Sequence, residues 1–186
     1  TVHSATQAKA LLPEAKIEIV NSKSTSMALG FQVLAAAQAA KQGADLAECK
    51  RVAEKARDSS GLIFVVDTLE FLHRGGRIGG AKRFVGTLLD IKPVLAIEDG
   101  VVIPLDQVRT HTKALDRIIE IIKDRVDGHQ RVRLATLHAN NAQTAREILE
   151  TAAASIQPVE TVFSEISPVI GTHSGPGAVG LAYLLD

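Results

Sequence analysis

Two arginines and a histidine occupy the positions in this sequence best suited to chemistry. Arg77 lies between Gly76 and Ile78 in a glycine-rich stretch, where missing side chains let the backbone turn and approach a ligand closely. Arg109 directly precedes Thr110-His111-Thr112, which has the character of a helix start. His173 falls within Gly171-Thr172-His173-Ser174-Gly175-Pro176-Gly177, a run of turn formers whose backbone N–H groups can be aimed at an anion. A guanidinium offers paired donors, so this set suits recognition of a carboxylate or a phosphate. The competing reading is that each arginine closes an ordinary surface or interdomain ion pair.

Other motifs fail on inspection. The segment from Gly75 to Lys82 resembles a P-loop, but Ala81 stands where the lysine belongs and no Ser or Thr follows it. Gly175, Gly177 and Gly180 satisfy G-x-G-x-x-G, yet only six residues follow Gly180, too few for a dinucleotide-binding strand-helix-strand unit. The serine hydrolase pattern is absent around Ser174. The six histidines are scattered, with no second ligand at helical or hairpin spacing. Between His73 and Lys92 the residues Arg74, Arg77, Lys82, Arg83 and Lys92 face Asp90 alone, a local excess of +4. Such a patch either docks an acidic partner or is a solvated helix face.

Composition narrows the function classes. The 186 residues carry 21 basic and 21 acidic side chains, a formal net charge of zero, which removes the electrostatic case for a dedicated nucleic-acid or acidic-membrane binder. Aromatics are 3%, with no Trp, so stacking platforms for bases or sugars are scarce. At 46% hydrophobic residues the chain folds around an aliphatic core, and a ligand pocket in it has aliphatic walls. The single cysteine, Cys49, fits a reducing, cytoplasmic setting. No apolar run approaches the roughly 18 residues of a membrane span. The first residue is Thr1 and the only methionine is Met27, so an upstream segment is expected either to have been removed or to belong to another part of the polypeptide.

Periodicity supplies the elements that must position these residues. Helices are expected over residues 4–12, 26–42, 46–57, 68–74, 81–89, 112–126 and 142–153. Strands are expected over 16–20, 62–66, 93–98, 101–105, 132–137, 159–163 and 179–184. Asp45 with Glu48 is a capping box, and Asp99-Gly100 is a two-residue hairpin signal. Residues 171–177 read as a loop. The order strand-helix-helix-strand at the start argues α/β organisation with parallel pairing. A change of texture at Asp67 suggests a boundary between units 1–66 and 67–186.

The segment Asp67-Thr68-Leu69-Glu70-Phe71-Leu72-His73-Arg74-Gly75-Gly76-Arg77-Ile78 resembles the signature of the DegV family, bacterial fatty-acid-binding proteins. Supporting segments are Leu89-Asp90-Ile91-Lys92-Pro93-Val94-Leu95, Val108-Arg109 after the hairpin, His138-Ala139-Asn140, and Ile170 through Ala178. Ser22 to Gly30 is also similar, although Asn21 stands where an Asp is usual. The likeness covers Thr1 to Asp186, with Thr1-Val2-His3-Ser4-Ala5 resembling the end of the family's Ser-Gly-Thr-x-x-Ser-Ala segment. It implies a two-domain α/β fold: an incomplete parallel-sheet first domain, and an α/β second domain with a mixed sheet. The chain would be the C-terminal two-thirds of such a protein, its N-terminal segment lying elsewhere.

The resemblance further implies a carrier, not an enzyme, that needs no cofactor and no metal. A long-chain fatty acid would lie between the domains, its carboxylate presented to a separate kinase that forms an acyl phosphate. By motif position, Arg77, Arg109 and His173 match the family's functional residues, with Thr172 and Ser26 beside the ligand. The physics is compatible: burying an acyl chain gains roughly 0.8 kcal/mol per methylene, while a buried carboxylate requires cationic or hydroxyl donors. Two other classes compete. One is a phosphoryl-transfer enzyme using His173. The other is an interaction or regulatory module using the basic patch over residues 74–92.

Overall fold

The computed structural model describes residues 1–84 and 91–185. In chain order the elements are α1 (Val2–Ala10), α2 (Ser26–Lys41), α3 (Leu46–Asp58), β1 (Ser60–Val65), α4 (Glu70–Arg74), β2 (Lys92–Glu98), β3 (Val101–Val108), α5 (His111–Val126), β4 (Val132–His138), α6 (Ala142–Ile156), β5 (Glu160–Val162), α7 (Pro168–Ser174) and β6 (Val179–Leu185). A 3-10 turn spans Gly79–Phe84. The rest of the helix expected over 81–89 lies outside the described residues, as do Leu89 and Asp90 of the family-like segment. None of the described helices is long and apolar enough to cross a membrane.

The strands form one six-stranded sheet in the order β3-β2-β1-β6-β4-β5. The fold is α/β with a mixed sheet. Side chains alternate across it, as a pleated strand requires. Leu62 and Phe64 of β1, with Ala182 and Leu184 of β6, face α2. Ile63, Val65, Leu181 and Tyr183 face the other way, onto Ile118 and Ile122 of α5 and Ile148 of α6. Helices therefore cover both faces, which is why β1 reads as an unbroken apolar run.

That double burial does not imply parallel pairing. β1 is antiparallel to both β2 and β6, and β4–β5 is the parallel pair among the described residues. The parallel pairing expected of the strand over residues 62–66 is thus corrected, because burial of both strand faces depends on the helical layers and not on strand direction. The position Asp67 falls immediately after a strand in the middle of the sheet. Residues 16–20 form no ladder despite their alternation, and β2 and β6 occupy both sides of β1.

Local signals were reliable where chemistry was local. Asp45 Oδ1 accepts the Glu48 N–H at 2.8 Å and starts α3. Thr110 Oγ1 accepts from the Lys113 N–H at 3.3 Å and starts α5. Asp99 and Gly100 both take positive φ, +50° and +81°, and join Glu98 to Val101 in the expected hairpin.

Candidate functional site

On the face of the sheet toward α2 the core does not close. A cavity of about 360 Å³ opens there, walled by Leu62 and Phe64 of β1, Leu137 of β4, Val102 of β3, Leu72 of α4, and by Ile166 and Ile170. Its polar margin is made by Ser24, Thr25, Ser26, Arg77, His173 and Ser174. Three short segments deliver these groups.

Arg77 is placed by the end of α4. The Arg77 N–H donates to the Leu72 carbonyl at 2.8 Å and the Gly76 N–H to the His73 carbonyl at 3.1 Å. With Gly76 at φ +65°, this is a Schellman ending, the left-handed position of which favours glycine. The turn aims the chain so that Arg77 borders the cavity while remaining exposed, and it has no ion-pair partner among the described residues.

Ser26 is placed by a strap of hydroxyl residues. It opens α2 at φ +50°, a conformation a non-glycine residue holds only under constraint. The constraint is visible in the hydrogen bonds. Lys23 N–H donates to Asn21 Oδ1 at 3.2 Å, Ser22 Oγ to the Ser24 carbonyl at 3.1 Å, and buried Gln32 Nε2 to the Ser22 carbonyl at 3.2 Å. Lys23 Nζ reaches Asp99 Oδ1 at 2.8 Å, tying the strap to the hairpin turn, and this bond holds the Asp99 carboxyl below its ordinary range. The Ser26 hydroxyl oxygen is buried and has no hydrogen-bond partner.

His173 is placed by α7, in a stretch expected to be a loop. Ser167 at the N-cap and Pro168 at the first helical position are a helix-start pair, and that signal was available in the sequence. α7 packs against α4 through Phe71, whose ring occupies the space a side chain at Gly175 would need.

The structure brings Ser26, Arg77 and His173 together around one cavity and leaves two expected residues outside it. Thr172 is exposed, and its hydroxyl donates to the Val169 carbonyl at 2.8 Å within α7. Arg109 is exposed at the exit of β3. It is about 23 Å along the chain from Val102, at roughly 3.3 Å per residue. Sequence reasoning missed Ser24, Thr25 and Ser174 at the margin, although a hydroxyl-rich run before an apolar helix marks the first two.

The basic patch is weaker than its sequence count. Arg74 pairs with Glu70 and Lys92 with Asp67, acids lying outside the window counted, and Arg83 lies 5.0 Å above the Phe84 ring. Among the described residues no cluster of three or more His, Cys, Asp or Glu side chains is arranged to hold a metal ion.

All of residues 1–186 match a family described as "Uncharacterised protein, DegV family". The chain belongs to the DegV family. A DegV domain-containing protein of Clostridium acetobutylicum is 39% identical over 173 residues, 93% of this chain and 60% of that protein. The chain thus spans less than two thirds of that relative's length. Two solved structures superpose over the whole chain and 66% of their own. They are a fatty-acid-binding DegV family protein from Thermus thermophilus, with a TM-score of 0.94 and 33% identity, and DegV from Bacillus subtilis, a fatty acid binding protein, with a TM-score of 0.88 and 33% identity.

Within this DegV fold, Gly76 tests the placement of Arg77. An added Cβ there meets nothing within 4 Å, so Gly76→Ala changes only the backbone preference. The substitution is expected to lower stability by about 1–2 kcal/mol in urea unfolding, with Gly76→Asn less damaging. An unchanged midpoint for Gly76→Ala would contradict the left-handed ending.

Proposed function

We propose that this DegV chain binds one long-chain fatty acid in the cavity, with the acyl chain against the aliphatic walls and the carboxylate at Ser26, His173 and Arg77. The observation that carries this reading is the Ser26 hydroxyl, buried without a partner at the polar margin of a cavity with apolar walls. Such a group costs about 1–3 kcal/mol unless something pairs with it. A ligand oxygen pairs with it, and the exposed, unpaired Arg77 supplies the countercharge. Some 15 methylenes contribute on the order of 10 kcal/mol before binding costs. Fatty-acid binding by the Thermus thermophilus and Bacillus subtilis proteins supports the same ligand class.

In this proposal the protein is a carrier. It presents the carboxylate to a separate ATP-dependent kinase in the cytoplasm, and Arg109, exposed and away from the cavity, serves that partner and not the lipid. Thr172, its hydroxyl already used within α7, has a secondary part. The remaining third of a full-length DegV protein would cover the apolar side chains exposed on α1 and α2, including Leu29 at 37%, Val33 at 58% and Leu34 at 45%.

Native mass spectrometry of the intact protein is expected to show a co-purified fatty acid. Ser26→Ala and His173→Ala should each weaken oleate binding about tenfold or more, while methyl oleate changes less than about twofold. Protein that carries no lipid and takes up no oleate overturns the reading. For Arg109→Ala, oleate binding should persist while kinase-coupled acyl-phosphate formation falls; turnover within about twofold of the parent removes Arg109 from that role. The 186-residue chain should bind oleate at least about tenfold more weakly than a full-length DegV protein that includes the N-terminal segment, if that segment supplies part of the cavity wall. Equal affinities would show the cavity complete without it.

A further inference from the structure

One ring nitrogen of His173 packs against a glycine. His173 Nδ1 is buried and has no hydrogen-bond partner. What covers it is Gly75: a Cβ built on that glycine would overlap Nδ1 and would lie 2.9 Å from Cε1. Gly75 has φ −77°, which any residue adopts, so the backbone does not demand glycine here. Space does. The Nδ1–Cε1 edge of the imidazole packs against Gly75, and Nε2, unlike Nδ1, is not a buried atom without a partner.

The chemistry of imidazole gives this seat a consequence. A neutral ring carries one proton, so one nitrogen donates and the other accepts. A proton on Nδ1 would be an orphan donor held in a dry niche, and orphaned buried donors are rarer in folded proteins than under-used acceptors. The proton therefore belongs on Nε2. Resting on the fatty-acid reading of the cavity, we propose that Gly75 is a positioning residue: by closing over Nδ1 it holds His173 as the Nε2–H tautomer, with the ring's one donor available to the ligand carboxylate. The seat is reciprocal, because Phe71 of α4 occupies the space over Gly175 while His173 of α7 occupies the space over Gly75. Neither helix can shift along the other without losing one of the two contacts. The pair of glycines at Gly75-Gly76 thus has two separate tasks, room for His173 and the turn that delivers Arg77.

The tautomer can be read without any ligand. Two-bond ¹H–¹⁵N spectra of the intact protein at a pH where His173 is neutral should show its Nδ1 unprotonated and Nε2 protonated. A spectrum with Nδ1 protonated overturns the proposal, whether or not the cavity binds lipid. Binding then tests the consequence with two shape-matched substitutions. His173→Gln places an amide donor near the Nε2 position and should keep oleate affinity within about threefold, whereas His173→Asn places it near Nδ1 and should lose about tenfold or more. Asn binding as well as Gln overturns the assignment. Gly75→Ala should reproduce the Asn loss for oleate, leave methyl oleate within about twofold, and cost nothing further in the His173→Asn background. If the parent protein binds neither oleate nor its ester, the fatty-acid reading fails while the tautomer result still stands or falls by its own spectrum.

Discussion

A polar atom taken out of water and left unpaired costs about 1–3 kcal/mol, and the arrangement around the cavity is organised by that penalty. The Ser26 oxygen and a His173 nitrogen are both buried without hydrogen-bond partners. Water-accessible positions for either would be easy to build on a surface loop. Instead, the strap at residues 22–26 is pinned by five polar residues, and Ser26 is held in a left-handed conformation that its own backbone resists. Constraint of this kind persists only where surrounding contacts over-determine it. Here they run to the hairpin turn through Lys23–Asp99 and to the buried Gln32 of α2.

The sheet makes those constraints affordable. Helices pack on both its faces, so β1 and β6 give a rigid apolar floor, while the face toward α2 is incompletely filled. Around this opening the polar groups arrive on short elements with fixed endings: α4 with its Schellman turn, α7 with Pro168 at its start, and α2 with its strap. α4 and α7 then meet at contacts where no Cβ fits, which fixes their separation more tightly than larger side chains would. Close packing has discrete solutions, and a glycine contact has few of them.

How far this was legible in the sequence follows from how local each feature is. The Asp45 cap and the Asp99-Gly100 turn involve residues within a few positions of each other, and both are found as expected. The alternation over residues 16–20 looks the same as that of a paired strand, but pairing is a property of the neighbour, and both sides of β1 are taken. The glycines of residues 171–177 predict a loop and outweigh Ser167-Pro168, the helix start that α7 in fact uses. In the site, Arg77 and His173, singled out by residue type, border one cavity. Residue type could not separate Arg109 from them, because a guanidinium at the far end of an eight-residue strand has the same chemistry as one at the near end. The resemblance supplied the ligand class, while the role of Gly75 required coordinates, since its φ is unremarkable and only the His173 ring explains it.

The outer strand of the sheet carries one more consequence. β3 lies at the edge, its pairing with β2 shifts by one residue between Val94 and Leu95, and Pro104 sits in the strand itself. A bulge increases local twist and proline withholds an N–H, so β3 offers a poor template to another strand. At the other edge β5 is only three residues long. Neither rim invites growth of the sheet by strand addition. A partner that comes to these rims must read side chains, not backbone ladders, which protects an aliphatic-rich fold from self-association while leaving its surface open to selective encounters.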